Sequence, residues 1–541
     1  MNRYRKDNFV YILLAVMLAV FAASAWSSAE SRTPTFDEPY DISMGYDFWI
    51  HGHQRWDFLH TSFSRKWVSL PLLFLNPSFP EGITNQGDLA YRFVYENRIS
   101  PETIFMWGRV MSLIPALGLV VLVFLFSKER FGPWAGLLSV FLTIIDPNIL
   151  AHAAIPKNDI LAALAFAACV YAFWKLFDFP DVKHAVLAGI VCGVTFLVKY
   201  SLIFIPPVLW GIWFFLSKPE DRRKNLKLSG LMVVISMFVI FADSGFELIS
   251  VSEFVKEQSL IQGEAVPLEF PGWATIKIPF LRYLFGIWVV FTKNSLPRPV
   301  FFLGELIDQG SILFFPVIFI IKTSIFILIL LAWISAQNFK GFANVQGKDW
   351  LLWGGPAVYL FLLLGSNLNP GYRHLFPIIC IIYIGAGAAV SRLEAKLQKG
   401  ILTSLLLGGL LSNVFAYPHY LSFFNEFVGD RGYQFVGDSN IDWGQDLVRL
   451  AEYQSENNLG RVYLSYFGTA DPNYYGVTYD CLPSFGLLDC PDADLPQQGW
   501  VAVSLNCLNG FCTYPNDIFG RLRSRRPDEV IGSSIFLYHL P

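Results

Sequence analysis

Two adjacent carboxylates, Asp37 and Glu38, stand in "TPTFDEPY" (33–40), just beyond the first membrane-length apolar run. A second group follows in "HAAIPKNDI", where His152, Lys157, Asn158 and Asp159 precede the run that starts near residue 160. Cations accompany them. Arg109 lies in "TIFMWGRVMSLIPALGLVVLVFLF", Lys199 in "VKYS", and Arg373 with His374 in the short turn "NLNPGYRHLF". Charges at a membrane boundary are costly and tend to mark function. A carboxylate can take the proton of an acceptor hydroxyl, and fixed cations can neutralise a departing phosphate. Acids set among cations therefore suit transfer from a phosphate-linked donor. Each residue also has a plainer reading. Thr35 or Asp37 can cap a helix whose first turn holds Glu38 and Pro39, and Asp159 can be a cap as well. Arg373 can snorkel to the interface. Lys322, inside "FFPVIFIIKTSIFILIL", fits a buried partner or a lipid phosphate and ranks below the others.

The elements that must position these residues are apolar helices. Of 541 residues, 54% are hydrophobic and 15% charged, against about 25% charged in a soluble globular protein. Runs that approach the bilayer core, about 20 residues, fall at 9–26, 103–126, 134–150, 160–177, 184–199, 201–216, 227–243, 312–334, 350–366, 372–390 and 401–417. The first exceeds the apolar core of a signal peptide, about 7–15 residues, so a retained helix is expected. With the N-terminus inside, six short segments face the cytoplasm, from "MNRYRKD" to "SRLEAKLQK". They carry 17 of the 40 Lys and Arg but only 8 of the 43 Asp and Glu. That is the positive-inside asymmetry. The stretch 185–216 is too long for one span, and both its flanks are basic. Two short helices broken at "VKYS" keep both flanks inside and put Lys199 and Tyr200 at the outer face. "IPFLRYLFGIWVVFT" (278–292) reads as a helix lying on the outer surface.

This division gives a membrane domain, 1–417, with outward loops at 27–102 and 244–311, and an outward C-terminal domain, 418–541. The tail holds Cys481, Cys490, Cys507 and Cys512, an even number in an oxidising space, which predicts two disulfides. Three pairings are open. Cys169, Cys192 and Cys380 lie in apolar runs and read as reduced core residues. In "GDSNIDWGQDLVRLAEY" the spacing of Asp438, Asn440, Asp442 and Asp446 approaches a calcium loop, but Trp443 stands at the sixth position and Arg449 at the twelfth. Asp442 as the cap of a helix is the simpler account. In a further reading this segment folds back over the active face and shapes an acceptor site. No cofactor is required by these patterns, a divalent metal is left open, and no nucleic-acid partner is expected.

The first loop with its Asp-Glu pair, the second with His and Asp ahead of a helix, and the intervening Arg together resemble the GT-C membrane glycosyltransferases. The resemblance is to the branch of the protein O-mannosyltransferases and the aminoarabinose–lipid A transferases. "GELIDQGSILFFPVIFIIKT", "NPGYRHLFPIICIIY" and "YPHYLSFFNEFVG…GDSNIDWGQDLVRLAEY" are similar to segments of phospholipid-carrier-dependent glycosyltransferases. The chain lacks the repeated β-trefoil inserts of the eukaryotic protein mannosyltransferases, so a protein acceptor is not implied. The resemblance implies a polytopic helical fold of GT-C type, with about eleven spans and a C-terminal α/β domain. It implies inverting transfer from a polyprenyl-phosphate sugar to a lipid, glycan or protein acceptor, outside a bacterial inner membrane. On it, Asp37 is the base, Glu38 orients the base or the acceptor, and Asp159 is a second acid of the site. Arg109, Lys199, Arg373 and His374 bind the donor phosphate, and His152, Tyr200, Asp442 and Trp443 are substrate-binding candidates. The rival classes are a transporter or flippase of a lipid-linked sugar and a non-catalytic envelope assembly subunit. Against transport, there is no internal repeat, and the polar residues gather on one face.

Overall fold

Each of the eleven apolar runs forms a helix or a bent pair of helices. The computed structural model describes residues 2–262, 270–342, 347–392, 395–486, 488 and 490–541. Among the described residues, six helices are long and apolar enough to cross a membrane, including Pro101–Phe131 and Asp159–Asp178. Three apolar helices are shorter: Val182–Val198, Tyr200–Leu216 and Asp349–Leu364. Two runs bend, at 74° between Pro133–Ile144 and Pro147–Ala153 and at 111° between Phe314–Lys322 and Ile325–Gln337. The protein is an integral membrane protein.

A bend inside a membrane-length helix frees backbone groups that need partners, and the chain supplies them. At the first bend Asp146 accepts from the Asn148 amide at 2.9 Å and from the Tyr383 hydroxyl at 2.8 Å. At the second, Asn425 Nδ2 donates to the Ile320 and Thr323 carbonyls, and Glu426 accepts from the Ile325 amide at 2.9 Å. Lys322, at the same bend, ties it to the C-terminal segment. Its ammonium donates to the Leu421 and Asn440 carbonyls and lies 4.9 Å from the centre of the Phe424 ring.

The long run breaks where its basic flanks require it. Helix Val182–Val198 ends at Lys199, which is extended, and a short 3₁₀ turn, Tyr200–Leu202, leads to Ile205–Leu216. The expected surface helix is Leu281–Ser295, which buries Arg282 and exposes Leu284, Trp288 and Phe291. Arg282 is no obstacle in an apolar run, because it pairs with Glu247 and Glu257.

The loop 27–102 forms helices Glu38–His51, Ser62–Ser69 and Gln86–Tyr95 around a small core that includes Ile42, Leu89 and Phe93. The first two of these cross so closely that a Cβ on Gly45 would lie 2.0 Å from the Arg65 carbonyl oxygen. That contact holds Arg65 beside the acids of Glu38–His51.

The C-terminal region carries a five-stranded mixed sheet in the order Glu529–Ile531, Ile535–Leu540, Gly499–Ser504, Val462–Ser465, Tyr479–Cys481. Its disulfides join Cys481 to Cys490 and Cys507 to Cys512. The other three cysteines are buried and free. Asp442 does not cap a helix, since the helix of this segment runs from Leu447 to Asn457. Instead its carboxyl is fully buried and accepts from the Gly444 and Asn506 amides, both at 3.1 Å. Burial pushes its pKa up to about 7. A raised carboxyl binds its proton more tightly folded than unfolded, so its contribution to stability falls as pH rises from about 4 to about 7. At about 1.4 kcal/mol per pKa unit this amounts to a few kcal/mol. Thermal unfolding of wild type and Asp442→Asn across this range is expected to show the wild type losing stability relative to the variant; parallel curves would refute the assignment.

Candidate active site

The loop that carries Asp37 is clamped by the C-terminal segment. Thr33 N donates to the Gln445 carbonyl at 3.0 Å and Phe36 N to the Trp443 carbonyl at 2.9 Å. Thr33 Oγ1 donates to the Gly444 carbonyl at 2.8 Å. The segment containing Trp443 thus lies directly on "TPTF".

The two neighbouring acids do different work. Glu38 is fully buried and reaches back to Thr35, accepting from its amide at 2.8 Å and its hydroxyl at 3.1 Å. This is half of the reciprocal capping arrangement of a Thr-x-x-Glu start. Its other oxygen accepts from Arg109 Nε at 2.9 Å, and Arg109 Nη1 donates to the Ala29 carbonyl at 2.7 Å. Arg109 is therefore engaged with Glu38 and the end of the first helix. Removing one partner of a buried pair leaves the other charge unpaired, at a cost of about 3–5 kcal/mol. Glu38→Ala is expected to lose that much stability in denaturant or thermal unfolding; a variant as stable as wild type would show the pair to be idle.

Asp37 makes no capping bond. Its Oδ2 lies 3.2 Å from Lys157 Nζ and 3.6 Å from Arg373 Nη1, with the side chain 22% exposed. Asp159 does not cap either. Its Oδ1 accepts from Lys199 Nζ at 2.7 Å, and its Oδ2 lies 3.7 Å from Arg373 Nε without a hydrogen-bond partner among the described residues.

Arg373 stands between the two acids. Its turn, Tyr372–Leu375, is tied down by the C-terminal segment. The Tyr372 amide donates to Asn440 Oδ1 at 2.9 Å, and Ser439 Oγ donates to the Pro370 carbonyl at 2.9 Å. The guanidinium lies 4.2 Å from the centre of the Trp443 ring. Arg373 Nε and Nη1 are buried and have no hydrogen-bond partner among the described residues. His374 is half-buried, within electrostatic reach of Lys199 and Asp159. His152 packs behind Trp443, their ring centres 5.8 Å apart. Its Nδ1 is 2.9 Å from the Asn148 carbonyl, and its Nε2 is buried without a hydrogen-bond partner among the described residues.

Further charged side chains, which the sequence did not single out, gather around Asp37. Lys157, noted only for its place in the loop, lies 3.0 Å from Asp41 Oδ2 and 3.3 Å from His60 Nε2. Burial works against its charge, but Asp37 and Asp41 outweigh burial and raise its pKa. Arg65 bridges Asp41 at 2.8 Å and Asp57 at 2.5 Å. Burial would raise the Asp57 pKa, yet Arg65 and His60 hold it well below the usual carboxylate range. Only Asp41 had a visible signal, four residues beyond Asp37 and so on the same helix face.

Two candidates fall outside this group. Tyr200 packs beneath Leu281–Ser295, where a Cβ on Gly286 would meet its hydroxyl, and beside Tyr283 at 5.5 Å. Asp442 spends both oxygens on backbone amides, as described above. Among the described residues no three His, Cys, Asp or Glu side chains gather so as to hold a metal ion.

Residues 105–243 match the family model of the dolichyl-phosphate-mannose-protein mannosyltransferases. Among solved structures, apo ArnT from Cupriavidus metallidurans is similar over 98% of this chain and 98% of its own, at 14% identity and a TM-score of 0.50. ArnT from the same organism bound to undecaprenyl phosphate is similar over 98% and 97%, at 13% identity and a TM-score of 0.48. The oligosaccharyltransferase AglB from Archaeoglobus fulgidus, in complex with an inhibitory peptide and a dolichol-phosphate, is similar over 91% of this chain and 62% of its own, at 14% identity and a TM-score of 0.47. No curated protein sequence matches. The fold is the GT-C fold that the motifs led us to expect, and residues 105–243 carry the mark of a glycosyltransferase family.

Proposed function

We propose that this membrane glycosyltransferase of the GT-C fold moves a sugar from a polyprenyl-phosphate carrier to an acceptor on the exoplasmic side, with inversion at the anomeric carbon. The observation that carries the reading is Arg373. A guanidinium with two buried nitrogens that make ion pairs but no hydrogen bond among the described residues, placed between two acids and stacked on Trp443, has donors to spare for an anion. Planar, multi-donor guanidinium is well matched to phosphate. The matched family model is named for a dolichyl-phosphate donor, which agrees in chemical class.

In the reaction Asp37 takes the proton of the acceptor hydroxyl, and the oxygen attacks the anomeric carbon. The bond from that carbon to the phosphate oxygen breaks, and polyprenyl phosphate leaves with the electron pair. Arg373 donates to the phosphate, and Lys199 and His374 add positive charge and a donor beside it. Asp159 aligns Lys199 and Arg373. Phosphate leaves without an acid, so one base is enough, unlike glycoside hydrolysis with its two carboxyl roles. Nucleotide sugars are cytoplasmic, and a lipid-linked donor brings the sugar to the outer face. The distribution of Lys and Arg supports a cytoplasmic N-terminus and, with the two disulfides, an oxidising outer space. These features fit a bacterial inner membrane.

The test is transfer by purified protein in nanodiscs, offered a panel of polyprenyl-phosphate sugars with lipid, glycan and peptide acceptors. Product of opposite anomeric configuration, with one polyprenyl phosphate released per transfer, is expected. A product of retained configuration would sink the single-base mechanism.

A further inference from the structure

A chain of titratable groups leads from Asp37 to the protein surface. Asp37 Oδ2 lies 3.2 Å from Lys157 Nζ. Lys157 Nζ lies 3.3 Å from His60 Nε2, and His60 Nδ1 lies 2.8 Å from Asp57 Oδ2. Lys157 is buried with its side chain 5% exposed, whereas the imidazole at the end is 33% exposed. The Asp57 carboxylate can only accept, so it selects the tautomer with a proton on Nδ1. That leaves the Nε2 lone pair facing the Lys157 ammonium. Arg65 Nη2 shares the same Asp57 oxygen and approaches Nδ1 at 3.4 Å. Asp41, from the helix alongside, and His374, from the turn opposite, complete the charged and titratable surroundings of the ring.

An enzyme base must lose its proton before it can act again. The Asp37 side chain is 22% exposed, and a donor and acceptor bound against it would displace the water there. We propose that Lys157 and His60 carry the acceptor's proton from Asp37 to solvent after each transfer. Lys157 passes one of its three protons to His60 Nε2 while it takes the proton of the Asp37 carboxylic acid. Asp37 returns to carboxylate, Lys157 is again an ammonium, the imidazolium gives one proton to water, and proton exchange of the exposed ring with water restores the Nδ1–H tautomer. The net change is one proton moved from the acceptor hydroxyl to solvent. This rests on Asp37 being the base.

The experiment is rapid-quench transfer with donor and acceptor in excess over nanodisc-embedded enzyme, comparing wild type, His60→Ala, His60→Gln and Asp37→Asn. Glutamine can still accept from Lys157 but cannot carry a proton. Both His60 variants are expected to make their first product at the wild-type rate, because the relay acts only after Asp37 has taken the acceptor's proton. Later turnovers slow by at least about 10-fold, and added imidazole restores the steady state of His60→Ala. A first turnover slowed as much as the later ones would make His60 structural. A His60→Gln steady state equal to wild type would reduce His60 to positioning Lys157, and either result overturns the relay. An Asp37→Asn variant that still turns over at the wild-type rate sinks the base assignment itself. One with no first turnover leaves the base standing, so the two failures are told apart.

Discussion

Asp37→Asn is expected to lower the turnover of sugar transfer by about 10²–10⁴-fold, the usual contribution of a positioned base, while the protein stays folded. The amide keeps the shape of the side chain but cannot take a proton from the acceptor. The fold should tolerate it, because Asp37 makes no helix-capping bond and its ion-pair distances to Lys157 and Arg373 are 3.2 and 3.6 Å. The measurement is the steady-state rate beside the unfolding temperature and the affinity for polyprenyl phosphate. Lost turnover with both other quantities near wild type identifies the base. Turnover equal to wild type would return Asp37 to a structural role and move the search for the base to Asp159.

Arg373→Ala is expected to cost about 10²–10³-fold in kcat/KM, comparable to losing one preorganised donor to a developing negative charge. The loss has two sources. Two buried N–H donors disappear from the place where phosphate charge grows, and Asp37 and Asp159 then face each other's field with one cation fewer. Arg373→Lys should recover only part of the loss, because an ammonium neither stacks on Trp443 as a plane nor presents a fork of donors. Binding of polyprenyl phosphate to the two variants decides the matter. Affinity that does not change in either would place the phosphate elsewhere, with Lys199 the next cation to test.

Much of the scaffold was legible because the bilayer sets such a coarse rule. A run of apolar residues near 20 long has few alternatives to a helix, so all eleven runs appear as helices or bent pairs. Lys199 could be placed at a break because the run 185–216 is too long for one span and both its flanks are basic. Its partner, Asp159, lies 40 positions earlier. The four tail cysteines announced two disulfides, and their pairing needed the structure.

The division of labour inside "TPTFDEPY" was not legible. Adjacent residues on a helix turn point in different directions, and only packing decides which direction meets which partner. Glu38 turns into the fold toward Arg109 and Thr35, whereas Asp37 faces Lys157 and Arg373. The sequence by itself determined the polytopic helical frame and offered the candidates for the chemistry, because apolar length acts locally along the chain. The tertiary structure alone decided which of those residues meet. The Arg65–Asp57–His60 cluster, the seat of Trp443 beneath Arg373 and the burial of Asp442 all depend on contacts between distant segments. Such contacts form only when helices cross closely enough for side chains to satisfy one another's charge and hydrogen bonds away from water.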